Sequence, residues 1–175
     1  MTTTLAALVR DCAVKSIHTT VAAIDAFSTD YAARVTARRS RLAVSTIVAT
    51  RLTAGATLTS IPLSTDRSTV YVALAVNQIE ATIAAVASLI KTTAATQRAT
   101  ILAMPDALVA MANSLGTSSP SLPSASTICA RVDDVLRPQL ALVSQALATT
   151  RLEADARLQA LDHQLQKLEA AMAGR

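Results

Sequence analysis

Apolar residues recur every three or four positions along most of this chain, the spacing of one face of an α-helix. Leu5, Leu8, Cys12, Val14, Ile17, Val21, Ile24 and Phe27 carry the pattern and predict a helix over residues 4 to 29, with a weak point at His18-Thr19-Thr20. Thr29-Asp30 reads as a break. A second helix is expected over 31–52, where Val35, Leu42, Ile47 and Leu52 are interleaved with arginines. The period is then lost. Leu58, Ser60 and Pro62 fall in an alternating stretch and Ser64-Thr65-Asp66-Arg67-Ser68 is turn-like, so a loop or a short extended segment is expected over 54–70.

The clearest stripe is Val72, Val76, Ile79, Ile83, Val86 and Ile90, with Asn77, Glu80, Ser88 and Lys91 off it; it predicts a third helix over 72–98. Pro105 is placed to start another helical stretch, Asp106 to Leu115, that Gly116 would close. Residues 116–126, rich in Ser and Pro, read as a loop. A last, long helix is expected over 127–172, kinked at Pro138 or beginning there. Its end carries Leu158, Leu161, Leu165, Leu168 and Met172 in a 3-4-3-4 seam, and Glu153 is spaced to pair with Arg157. The expectation is an all-α protein, with a helical-bundle domain over 1–150 and a helical extension over 151–175.

Composition strengthens that reading. Half of the 175 residues are apolar, but they are mostly Ala, Val, Leu and Ile, with no Trp, one Phe and two Tyr. Three Gly and five Pro are too few for the turns of a sandwich or barrel. The first ten residues place Arg10 after the apolar run rather than before it, the reverse of a secretory signal. The apolar stretches are broken by Glu80, Lys91, Pro105 and Gly116, so a soluble protein is expected, with no membrane partner. Cys12 and Cys129 lie far apart and outside any CxxC. They are expected as buried free thiols rather than a disulfide or metal site.

Catalysis has little to work with. His18 and His163 have no ligand partners at helical spacing, no nucleophile or phosphate-loop motif is present, and no cofactor or small-molecule substrate is expected. Asp133 and Asp134 are adjacent, so on a helix they point about 100° apart and form no acid/base dyad. The charge pattern says more. Between Tyr31 and Thr65 stand Arg34, Arg38, Arg39, Arg41 and Arg51 with no acid among them, inside a net charge of +4. A one-signed patch of this kind attracts polyanions, though it is equally the pattern of a solvated helix face.

One cluster points to a family. Arg131-Val132-Asp133-Asp134, after the Ser/Pro loop, resembles the segment that opens the long inner helix in the coat proteins of tobacco mosaic virus and its rod-shaped relatives. Upstream, Val70-Tyr71 is similar to that family's entry into its third helix. Lys91 and Arg98 fall near the basic pair that ends it, and Arg38-Arg39-Ser40-Arg41 is similar to the start of its second helix. The order of these motifs is kept over about residues 20–150. The family's outer-radius aromatics are missing here, and the loop before Arg131 is longer.

The resemblance implies a four-helix up-down bundle that polymerises with copies of itself into a rod and packages single-stranded RNA in the virion, after assembly in the host cytoplasm. RNA contacts would be sequence-independent and made to phosphate. It implies contacts from Arg38, Arg39, Arg41, Lys91, Arg98 and Arg131, with Asp133 and Asp134 beside the phosphates. Two other classes fit the composition: a phasin-type protein whose apolar helix faces coat a hydrophobic body, and a helical accessory subunit of a larger complex.

Overall fold

The computed structural model describes residues 4–56, 63–114 and 124–173. Among them are three α-helices and no strand: α1 (Leu5–Ala56), α2 (Leu63–Ser114) and α3 (Ala125–Ala173). The expected class is correct, and the expected count of four helices is not. Each helix contributes one segment to each of two compact units, the first built from Met1–Ser28 and Thr92–Thr150 and the second from Thr29–Lys91 and Arg151–Arg175. Residues 151–175, expected as an extension of a 1–150 domain, therefore cluster with the second unit.

In the first unit Cys12 on α1 meets Cys129 on α3, while Arg10 and Asp25 on α1 pair with Asp106 and Arg98 on α2. Residue numbers on α1 and α3 rise together and those on α2 fall, so α1 and α3 are parallel and α2 is antiparallel to both. In the second unit α1 and α3 are parallel too, since Tyr31, Arg38 and Arg41 on α1 meet Asp155, Asp162 and Glu169 on α3 in ascending order.

Both cores follow the spacing of three and four. On α1 the buried residues include Ile17, Ile24, Phe27, Tyr31, Val35, Leu42 and Ser45, and on α2 Val72, Ile79, Ile83, Val86, Ile90 and Ile101. On α3 they are Ile128, Val132, Leu136, Val143, Leu147, Thr150, Ala154, Leu158, Leu161, Leu165 and Leu168. Buried residues at this spacing form the apolar seams by which helices pack in bundles and coiled coils. The large Thr content is reconciled with helix by back-bonding. The hydroxyls of Thr36, Thr46, Thr82, Thr100 and Thr149 each donate to the carbonyl four residues earlier.

The expected breaks disappear for identifiable reasons. Thr29-Asp30 lies inside α1, because Phe27, Tyr31 and Val35 continue the buried stripe and Asp30 pairs with Arg34 one turn on, at 3.1 Å. Thr53–Ala56 and Leu63–Val70, expected as extended or turn, are helical, while residues 57–62 of that region lie outside the described residues.

Pro105 does not start a helix but sits buried within α2, and Pro138 sits exposed within α3. Each removes one backbone hydrogen bond. Neighbours such as Ile101 and Leu136, almost wholly buried, show that packing offsets that loss. Most of the 116–126 loop lies outside the described residues. Ser124 caps α3, its carbonyl accepting from Ile128 N–H at 3.1 Å and its hydroxyl from Thr127 N–H at 3.4 Å. Thr4 caps α1 in the same way.

The cysteines correct a further expectation. They form a disulfide with Cα atoms 5.1 Å apart, within the range such a bond requires. Their 117-residue separation disguised this in the sequence: only the parallel pairing of α1 with α3 brings the two helix starts together.

Candidate functional site

The densest polar constellation among the described residues is a ladder along α1 and α3 of the second unit. Asp155, Asp162 and Glu169 are seven residues apart, each directly following a buried core residue of α3: Ala154, Leu161 and Leu168. On α1, Arg34 and Arg41 each directly precede a buried residue, Val35 and Leu42. In heptad language these are positions g and e, which flank the seam between parallel helices and pair across it.

The bonds follow from that placement. Arg34 reaches Asp155 at 3.2 Å, and Arg41 spans Asp162 at 3.2 Å and Glu169 at 3.1 Å. Arg38 differs because it occupies a core position in the repeat of α1, between Val35 and Leu42. Its side chain keeps only 18% of its exposure and holds Asp162 through two parallel hydrogen bonds of 2.9 and 2.8 Å. At the start of the ladder Tyr31 donates its hydroxyl to Asp155 at 2.7 Å, and the Arg34 guanidinium lies 4.8 Å from the Tyr31 ring centre. Burial pushes the Tyr31 hydroxyl above its ordinary pKa, and the hydrogen bond and negative charge of Asp155 add to the effect.

The residues expected to contact RNA therefore separate into two sets. Arg38 and Arg41 converge on Asp162, and Arg98 is paired with Asp25. Arg39, Lys91 and Arg131 are exposed and make no ion pair among the described residues. Lys91 and Arg98 do not end a helix but lie inside α2, and Arg41 does not open one but lies well inside α1. Arg131 is in the early turns of α3, as expected, yet it does not engage the acids beside it: Asp134 pairs with Arg137 at 3.1 Å. Asp133 is exposed. Arg38, Arg39, Arg41 and Lys91 belong to the second unit, and Arg98, Arg131, Asp133 and Asp134 to the first.

The partners on α3 were missed by the sequence reading. The signal was present as two heptad series, Arg34/Arg41 and Asp155/Asp162/Glu169. It becomes meaningful only once α1 and α3 are known to be parallel neighbours.

The ladder is a set of ion pairs and hydrogen bonds that join α1 to α3. No group of His, Cys, Asp and Glu among the described residues could hold a metal. A hollow of about 500 Å³ in the second unit, beside Arg39 and Glu80, is lined otherwise by Leu42, Ala43, Thr46, Ile83 and Ala84. These groups supply no nucleophile paired with a base.

The second distinctive surface belongs to α2. Within Val72–Ser114 an 18-residue window reaches a mean hydropathy of 1.6, yet only 22% of it is buried. By length and composition this helix could cross a membrane, although no uninterrupted apolar run marks it in the sequence. Leu74, Leu102 and Met111 stand exposed on it. No family model, curated protein or solved structure matches this chain.

Proposed function

We propose that this chain is a non-catalytic structural protein that works by assembling with copies of itself, copies meeting through exposed apolar surface of α2 such as Leu74, Leu102 and Met111. The observation that carries this reading is an inversion of the usual order: the most apolar helical stretch is mostly unburied. Burying exposed aliphatic area stabilises by about 25 cal/mol per Å², so such a face is covered when a like surface is available. A homopolymeric coat, as the resemblance implies, is one form of that assembly. Packaging of single-stranded RNA would then rest on Arg39, Lys91 and Arg131, the expected phosphate-binding cations that no carboxylate among the described residues occupies.

A second reading, coating of an apolar body in the manner of phasins, draws on the same face. The exposed Val14, Val44, Val135, Leu142 and Leu152 on the other two helices also support it. Sedimentation and negative-stain microscopy of the pure protein between pH 5 and 8, alone, with single-stranded RNA and with phospholipid vesicles, separate these readings. Rods, discs or other defined oligomers support self-assembly. A monomer that floats with vesicles supports the coating reading instead, and a monomer under every condition overturns both.

A further inference from the structure

We propose that the Cys12–Cys129 disulfide is a redox clamp on the N-terminal half of α3, so that reduction releases this segment while the C-terminal half of the same helix stays docked. The two halves are held by different means. In the second unit α3 is tied to α1 by Tyr31, Arg34, Arg38 and Arg41. In the first unit, among the described residues, no ion pair joins α3 to either neighbour. The pairs there, Arg10–Asp106 and Asp25–Arg98, link α1 to α2, and Arg137–Asp134 is internal to α3. Apart from apolar contact, the first half of α3 is secured by the disulfide near its start and by a 3.4 Å hydrogen bond from Thr150 to Thr93 at its end.

That half is also the less self-sufficient helix. Pro138 removes one of its backbone hydrogen bonds, and Val135 and Leu142 are already exposed. Without the clamp, the first half of α3 is held in place by its apolar contacts and the Thr150–Thr93 hydrogen bond.

The chemistry is thiol–disulfide exchange with an external dithiol. Cys12 is 3% exposed and Cys129 more open, so a thiolate of the dithiol attacks Cys129 Sγ. The S–S bond breaks and Cys12 leaves as the thiolate, which takes up a proton. The second thiol of the reagent then displaces Cys129 and closes to a cyclic disulfide. Two electrons and two protons have passed from the dithiol to the two cysteines. A clamp of this kind is shut where disulfides persist and opens on entry into a reducing compartment.

Thiol counting and hydrogen exchange on the full chain test this, comparing the oxidised protein, the same protein reduced with dithiothreitol, and the Cys12→Ala/Cys129→Val variant, which keeps the site apolar. The oxidised form should show no free thiol. In the reduced and variant forms, amides over 128–147 should exchange at least about ten-fold faster, and those over 154–170 at unchanged rates. Two free thiols in protein purified without reductant overturn the proposal. So does equal protection of both halves after reduction, or loss of protection in both together, which would make the bond a staple of the whole fold.

Discussion

Arg38 and Asp162, separated by 124 residues in sequence, meet fork to fork: Nε donates to Oδ1 at 2.9 Å and Nη2 to Oδ2 at 2.8 Å. The pair fixes the register of α1 against α3. A shift of one heptad on either helix would set Asp162 against a different α1 residue, so the arginine at a core position selects one alignment. A bidentate pair at a half-buried seam is also worth more than a solvated one.

Removing one partner should therefore cost more than removing an exposed ion pair. Arg38→Ala is expected to lower stability by about 1–2 kcal/mol, and Asp162→Asn by a similar amount, because Arg41 loses a partner too. Arg157→Ala, which breaks only the exposed pair with Glu153, should cost about 0.5 kcal/mol or less. Urea unfolding of the three variants checks the order. Equal losses for Arg38→Ala and Arg157→Ala would reduce the Arg38 pair to a surface contact.

Tyr31 gives the fold an alkaline limit. Its hydroxyl stays protonated to higher pH in the folded chain than in the unfolded one, whose phenol titrates near 10.0. Below that value both states hold the proton and the contribution of Tyr31 is complete. As pH rises, the unfolded chain ionises first, and stability falls until the folded value is passed. Melting temperature between pH 8 and 11 should decline in the wild type and decline less in Tyr31→Phe. At neutral pH that variant should cost about 1 kcal/mol for the lost bond to Asp155. Parallel curves for the two proteins would show that Tyr31 does not set the limit.

Gln164 is a defect that can be repaired. It lies on α3 beside the buried Leu165, and its Oε1 is buried without a hydrogen-bond partner among the described residues. Gln164→Met keeps the length of the side chain and removes the stranded acceptor. It should raise stability by about 1 kcal/mol, read as a higher urea midpoint with an unchanged slope. A lower midpoint would mean that the amide contributes through its nitrogen.

What the sequence made legible was what depends on neighbours along one helix. The helical class, the stripe from Val72 to Ile90, the seam from Leu158 to Leu168 and the Glu153–Arg157 pair all follow from local spacing. What it hid depends on partners far away in the chain. Thr29-Asp30 and Pro105 carry local signals for a break, and tertiary packing overrides them. Arg34, Arg38 and Arg41 looked like part of a one-signed patch because the carboxylates they meet on α3 lie more than a hundred residues on. Cys12 and Cys129 looked unrelated for the same reason.

The two sets of arginines give the sharpest test of RNA packaging. Arg131 is exposed near the start of α3 and free of ion pairs among the described residues, so Arg131→Ala should leave the melting temperature unchanged. If Arg131 touches phosphate, the variant should bind all single-stranded RNA sequences more weakly by a similar factor. The slope of log affinity against log salt should also fall by about one unit. Arg41 is committed to Asp162 and Glu169, so Arg41→Ala should destabilise the second unit and leave that slope unchanged. For Arg41 to serve RNA as well, phosphate would have to outcompete two carboxylates that folding already places beside it. Affinity measured at two salt concentrations, with melting temperature recorded for each variant, separates these roles. A reduced slope in Arg41→Ala with intact stability would return Arg41 to the RNA surface, and an unchanged slope in Arg131→Ala would remove Arg131 from it.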